Sequence, residues 1–484
     1  MNRVPARPSA LRPDVLLLVV LYVLEVSAWL AVVASYRKSI WPLSGFLASP
    51  SAVVFLVACL VLLFATAVVV HRYRTRRRHD PRRFGLTVAL NVVPVLLFLT
   101  AGEVTVRLLS RATPRGPVFA RTVLLPHQWA DVVKRNTAIL ERVGVTSSYL
   151  VPDAHLGWVV GPDRRSADGR YFSSVEGIRS RQSGVAFAER PGRRRVALVG
   201  DSFTFGLDVS YEDSWGHRLE RALGPDVQVL NFGVEAYGVD QALLRYDRDV
   251  RRWRPDVVIL GLIDHDLLRS MAVYFFVSFP SWEYPFAKPR FVADGDRLVL
   301  LNVPLPSPQA IVAARSIRDL PFIEYDPGYR AEDWEWHALD RSYLHRLAVS
   351  TYRAWSSGPR SSRAGMLSLN RELVRSFIRQ TRAEGSIPLV VYFPSDRNFR
   401  VLAKDPGWRS LAQTMLRSND IPHMDLTACL AALSPADRFP ADGRNHFAPR
   451  ANAAVAECLR DSVRRLLSAG PPRAEARDGS RRGG

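Results

Sequence analysis

The sequence predicts an α/β domain that follows a membrane region. Over about residues 194–467, short apolar runs of strand length alternate with segments of helical periodicity. Such alternation is typical of a parallel sheet with helices on both faces. The first 110 residues instead contain three long apolar stretches. We therefore expect a three-layer α/β domain with a parallel sheet, preceded by three transmembrane helices.

The first strand of the domain is the apolar run Val196–Val199, which Gly200, Asp201 and Ser202 end in a tight turn. The later predicted strands cover 227–234, 256–263, 388–393 and 421–426. The predicted helices cover 215–223, 241–253, 367–381, 411–418 and 448–467.

Four polar segments lie at the ends of these strands or before the last helix. They are Ser202, the stretch Asn231–Gly238, the stretch Gly261–Asp266 and the stretch Asp442–His446. Open α/β sheets bring such strand ends to one edge, where ligands bind. A serine hydroxyl needs a base within hydrogen-bond reach, and a carboxylate can orient that base. We predict a triad of Ser202, His446 and Asp442.

The block Gly200-Asp201-Ser202-Phe203, followed downstream by Asp442 and His446, resembles the GDSL/SGNH hydrolase family over roughly residues 194–467. The resemblance implies a three-layer, flavodoxin-like fold for this domain and an acyl-enzyme on the serine. It also implies an oxyanion hole made of the Ser202 N–H, a glycine N–H of the second block and an asparagine side chain of the third.

The sequence departs from the family pattern at three points. Ala236 stands where the family has glycine, with Gly233 as a nearby candidate, and His265 stands where it has asparagine. The predicted acid and base are four residues apart, whereas the family has three, and Asp437 is a fallback acid. Losing one oxyanion donor costs about 3 kcal/mol, so these changes predict a slow enzyme or altered chemistry.

The three apolar stretches cover about 15–35, 52–70 and 86–108, each long enough to cross a bilayer. Seven arginines in the loop 71–83 predict a cytoplasmic loop, so the chain after the third span is expected outside the cytoplasm. Glu25 is a weak candidate for a functional intramembrane acid, and Glu103 with Arg107 predicts a local ion pair.

The remaining segments give weaker expectations. Residues 110–193 are expected to be a connector packed on the catalytic domain, and 468–484 a disordered tail. An insertion at 267–365 is rich in aromatic residues that predict either a substrate wall or simple packing, and it contains a hairpin over 291–301. Cys429 and Cys458 are either paired or two buried thiols.

The preferred function is a membrane-anchored extracytoplasmic serine esterase that acts on ester groups, such as O-acetyl groups, of envelope or secreted glycans. The alternatives are an O-acyltransferase that needs a membrane partner as acyl donor, and a catalytically weak glycan-binding or assembly protein. No cofactor or metal is expected, because three cysteines in 484 residues give no ligand spacing and Asp264 and Asp266 fit a sheet-edge turn better. The net charge of +20 suits nucleic-acid binding, but the membrane topology already explains its densest basic cluster.

Overall fold

The computed structural model describes residues 99–113, 116–143, 149–187, 193–294, 297–356, 362–418, 421–442 and 445–470. The predicted spans 15–35 and 52–70, the first part of the span 86–108, and residues 471–484 of the predicted tail lie outside these residues. Within the part of the chain that the structure describes, no helix is both long enough and apolar enough to cross a membrane.

The central sheet has five strands, which we number in chain order: β1 Arg194–Val199, β2 Val227–Asn231, β3 Val257–Leu262, β4 Ile387–Tyr392 and β5 His423–Asp425. Their order across the sheet is β5-β4-β3-β1-β2, and every neighbouring pair is parallel. The predicted parallel α/β sheet is therefore confirmed, with the strand order of flavodoxin-like folds.

Side chains of the buried strands alternate between two apolar layers. In β1, Val196 and Leu198 pack on one face, and Ala197 and Val199 on the other. The first face is covered by the helices Trp215–Leu223 and Pro449–Ala469, and the second by Val239–Arg245, Arg363–Ala383 and Leu411–Ser418. Successive side chains of a strand point to opposite faces of the sheet. Because both faces are covered by helices here, apolar side chains are buried on either side of the strand, which explains its nearly continuous apolar sequence.

The described chain forms two compact units. One takes the residues up to Val132 together with 331–358, and the other takes Val133–Arg330 with the residues from Pro359 onwards. These divisions fall at positions other than the predicted domain boundaries, which stay predictions.

The first unit contains the helix 99–109, a small antiparallel sheet and the helix Tyr343–Ser356. The strands of that sheet are Arg111–Thr113, Gly116–Phe119 and Thr122–Val123. The predicted ion pair is present, with Arg107 Nη2 at 2.7 Å from Glu103 Oε1. A further helix, Trp129–Val143, contains the boundary between the units.

The second unit holds the central sheet and three antiparallel pairs of strands: Leu150–Asp153 with Gly157–Val160, Phe172–Ser173 with Arg179–Ser180, and Phe291–Asp294 with Arg297–Leu300. The last pair confirms the predicted hairpin. Its shorter helices are Ser202–Phe205, Asp264–Arg269, Phe275–Ser278, Pro308–Ala313, Asp396–Leu402, Thr427–Ala431 and Pro435–Arg438. A disulfide joins Cys429 to Cys458, with the two Cα atoms 6.6 Å apart.

Candidate active site

Ser202 lies at the carboxyl end of β1, as the first residue of the short helix Ser202–Phe205. A Cβ on Gly200 would lie 2.3 Å from Thr204 Oγ1, so the tight turn after β1 requires glycine. Asp201 caps the helix, because its Oδ1 accepts a hydrogen bond from the Phe203 N–H at 2.9 Å. The sharp strand-to-helix turn therefore fixes the hydroxyl at the edge of the sheet.

His446 faces the serine directly. Its Nε2 lies 2.9 Å from Ser202 Oγ, and its Nδ1 lies 2.9 Å from Asp208 Oδ2. The side chains of His446 and Asp208 are only 13% and 15% exposed. A hydroxyl, an imidazole and a carboxylate are thus in hydrogen-bond contact in the order that nucleophilic catalysis uses.

The acid beside the imidazole differs from the predicted one. Asp442 is exposed in the turn before His446. His446 Nδ1, which Asp442 was expected to contact, faces Asp208 instead. The fallback acid Asp437 accepts from Ser434 and pairs with Arg450. Asp208 reaches the imidazole because it follows the serine by only six residues, beyond the left-handed turn at Gly206.

Asp208 was missed because nothing in its local sequence marks it as a partner of a residue 238 positions away. The available signal was a second acid two residues after Gly206, on the same strand-end loop as the serine. Asp208 itself has a φ of +72°, a conformation in which aspartate is found more often than most residues.

Residues of the predicted connector hold the Asp208 loop. The Tyr171 hydroxyl accepts a hydrogen bond from the Asp208 N–H at 2.9 Å. The buried Arg179 guanidinium donates to the carbonyls of Gly206 at 2.6 Å and Val209 at 2.8 Å, and also to that of Phe205. Buried carbonyls satisfied by a fixed cation give a rigid loop, so Tyr171 and Arg179 position the carboxylate.

His446 is positioned through the start of the last helix. The Asn452 side chain donates to the Phe447 carbonyl at 2.9 Å and accepts from the Trp215 N–H at 3.1 Å. Trp215 in turn donates its indole N–H to the Phe203 carbonyl at 2.9 Å. These contacts link the segment that follows His446 to the segment that carries the serine.

The predicted oxyanion donors differ in their availability. The Gly233 N–H is occupied, because it donates to Asn231 Oδ1 at 2.9 Å. The N–H groups of Ser202 and Ala236 have no acceptor among the described residues. Ala236 is fully buried with a φ of +64°, the left-handed conformation that glycine adopts without strain. Alanine therefore keeps the backbone shape that glycine would give here.

His265 lines a cavity of about 450 Å³ together with Ser202 and His446. Desolvation by the surrounding atoms, with the positive charge of Arg269, lowers the pKa of His265 below its usual value. The imidazole is therefore favoured in its neutral form at pH 7, in which it keeps one N–H donor. Trp282 of the insertion lines the same cavity.

A buried ion cluster lies beside the serine. Arg269 Nη1 is 3.2 Å from Asp201 Oδ2 and 2.9 Å from Asp266 Oδ1. Burial and the neighbouring Asp201 charge raise the pKa of Asp266 well above its usual value. Asp264 accepts from the Asn398 amide at 2.9 Å and holds the sheet-edge turn. Among the described residues, no group of three acids, histidines or cysteines is arranged to bind a metal ion.

No family model matches the chain, and no curated protein sequence matches it. Solved structures do match. A lipolytic protein of the G-D-S-L family from Desulfitobacterium hafniense is 13% identical with a TM-score of 0.30, covering 56% of this chain and 99% of its own. An inhibitor-bound aryl esterase from M. smegmatis is 12% identical with a TM-score of 0.29, covering 57% and 100%. A carbohydrate acetylesterase from Sinorhizobium meliloti is 14% identical with a TM-score of 0.30, covering 57% and 100%. By their names, these three structures are a G-D-S-L family protein and two esterases.

Proposed function

We propose that the protein is a serine esterase with Ser202 as nucleophile, His446 as general base and Asp208 as the acid that orients the base. The observation that carries this proposal is the chain of two 2.9 Å contacts from Ser202 Oγ through the imidazole to Asp208 Oδ2. A buried hydroxyl next to an oriented imidazole is the arrangement that activates serine for acyl transfer.

The reaction proceeds through an acyl-enzyme. Ser202 Oγ attacks the ester carbonyl carbon while His446 Nε2 takes the hydroxyl proton. The same nitrogen returns that proton to the alcohol oxygen as the carbon–oxygen bond of the ester breaks. Water then loses a proton to His446, attacks the acyl carbon and releases the carboxylic acid, and the proton returns to Ser202.

The negative oxygen of each tetrahedral intermediate needs donors that are already in place. The N–H groups of Ser202 and Ala236 are the backbone donors of this proposal, and His265 is the side-chain donor. The Asp208 carboxylate stabilises the imidazolium that forms twice in each cycle.

The proposed setting is the outer face of a membrane, with acylated glycans as the substrate class. The apolar stretches and the arginine-rich loop 71–83 support the anchor and its orientation. The disulfide between Cys429 and Cys458 supports an oxidising compartment. The half-exposed Trp282 at the cavity supports sugar binding, because an indole face packs well on a sugar ring.

A fluorophosphonate probe tests the nucleophile on the full-length protein. We expect the probe to label Ser202 in the wild type and to label neither Ser202→Ala nor His446→Ala. The wild type should hydrolyse small acetyl esters, and treatment with the probe should abolish that activity. Arg379→Gln, an exposed change on the helix Arg363–Ala383, is the matched control. An unlabelled wild-type protein without esterase activity contradicts the proposal, and product analysis with a sugar acceptor separates hydrolysis from transfer.

A further inference from the structure

Arg397 is a cation at the Ser202 cavity that pairs with no acidic residue in the part of the chain that the structure describes. Arg397 lines the cavity, its side chain is exposed, and it forms no ion pair or hydrogen bond with any residue that the structure describes. It acts on the cavity electrostatically, since its charge contributes to the lowered pKa of His265. An unpaired guanidinium beside a nucleophile is a feature that neutral esters do not require.

The other charges that line the cavity are already paired. Asp208 Oδ1 lies 3.9 Å from Arg170 Nη1, and Arg400 Nη2 lies 3.1 Å from Asp396 Oδ2. Arg269 is held by the two buried carboxylates behind it. Among the described residues that line the cavity, Arg397 therefore remains as the uncompensated positive charge.

The backbone that carries Arg397 is fixed. Ser395 is the N-cap of the helix Asp396–Leu402, and its N–H donates to Asn398 Oδ1 at 2.7 Å. The Asn398 amide is in turn tied to Asp264 at the end of β3, and Phe399 is buried in the apolar layer. A side chain on this helix is consequently presented to the cavity from a rigid base, as a specificity contact requires.

We propose that Arg397 binds an anionic group, a carboxylate or a phosphate, that the ester substrate carries close to its scissile bond. The planar guanidinium pairs with the two oxygens of either group in bidentate geometry. The inference rests on the proposed esterase function and adds the charge of the substrate to it. Arg397 acts as a specificity residue and takes no part in proton transfer.

Three acetyl esters of one phenol scaffold test this inference on the full-length protein: 4-acetoxybenzoate, 4-acetoxyphenyl phosphate and methyl 4-acetoxybenzoate. We expect Arg397→Gln to lower kcat/KM for one or both anionic esters about tenfold, through KM, with less than about a twofold change for the neutral ester. Which anion responds distinguishes a carboxylate from a phosphate. The effect should shrink as salt rises from about 0.02 M to about 0.5 M, because the guanidinium is exposed.

Arg379→Gln on the opposite side of the sheet is the control, and it should leave all three values unchanged. Equal losses on charged and neutral esters, or no loss on any, overturn the inference while the esterase function stands. The inactive Ser202→Ala protein gives a second readout, because 4-acetoxybenzoate and 4-acetoxyphenyl phosphate can be titrated into it without turnover. We expect one or both esters to bind, and adding Arg397→Gln should weaken that binding about tenfold. If neither ester binds more weakly to the double variant, the inference is overturned, whether or not the wild type hydrolyses esters.

Discussion

Replacing Asp208 with asparagine tests the assignment of the acid. His446 Nδ1 and Asp208 Oδ2 are 2.9 Å apart, and the imidazole becomes positively charged when it takes the serine proton. At that separation and an effective dielectric constant of about 20, their attraction is about 6 kcal/mol. Because each ~1.4 kcal/mol changes a rate about tenfold, this attraction limits the loss to about 10⁴-fold. Partial exposure of both side chains screens the pair, so we expect kcat to fall by about 10³-fold, with KM nearly unchanged.

The matched control for this experiment is Asp442→Asn, which makes the same chemical change on the exposed acid four residues before His446. We expect this variant to keep kcat within about twofold of wild type, since surface substitutions have small effects. Hydrolysis of p-nitrophenyl acetate by both variants, with circular dichroism to show that they are folded, gives the comparison. A larger loss in Asp442→Asn than in Asp208→Asn would refute the reasoning from the 2.9 Å contact.

The other predictions concern the surroundings of the triad. Arg179→Met should lower the free energy of unfolding by about 3 kcal/mol and also lower kcat, as measured by urea denaturation and kinetics, because it leaves buried carbonyls around the acid without donors. Ala236→Gly should raise the free energy of unfolding by about 0.5 kcal/mol with kcat unchanged, whereas Ala236→Val should lower it, because the φ is +64°. Burial raises the pKa of Glu235 above its ordinary value of 4.5, so its contribution to stability is full below that value and is lost as the pH rises through the folded-state pKa. Melting curves from about pH 4 to 8 should therefore show Glu235→Gln gaining on wild type as the pH rises, and parallel curves would contradict this. Replacing Cys429 and Cys458 together with serine should cost about 3.5 kcal/mol, estimated from the loop that their disulfide closes, and alkylation of the unreduced wild type followed by mass spectrometry should find neither thiol free.

Sequence periodicity predicted the elements of residues 194–467 well because those signals are local. The helices Trp215–Leu223 and Leu411–Ser418 begin and end where they were predicted, and the five strands lie within a few residues of their predicted bounds. The predicted helix 241–253 ends earlier as an α-helix, at Arg245, and continues as a π turn and a 3₁₀ turn to Trp253. Boundaries of this kind depend on packing and capping, which a periodic pattern does not contain.

The sequence by itself determined the parallel α/β architecture, the serine at the end of the first strand and the histidine before the last helix. These follow from strand-length apolar runs and from polar residues placed at their ends, which a parallel sheet must gather on one edge. Only the tertiary structure decided which carboxylate meets the imidazole. Asp208 is held there by Tyr171 and Arg179, whose contacts with the loop span 26 to 37 positions of the chain. Hydrogen-bond distance is a property of the folded chain, and the spacing of residues along the sequence does not report it.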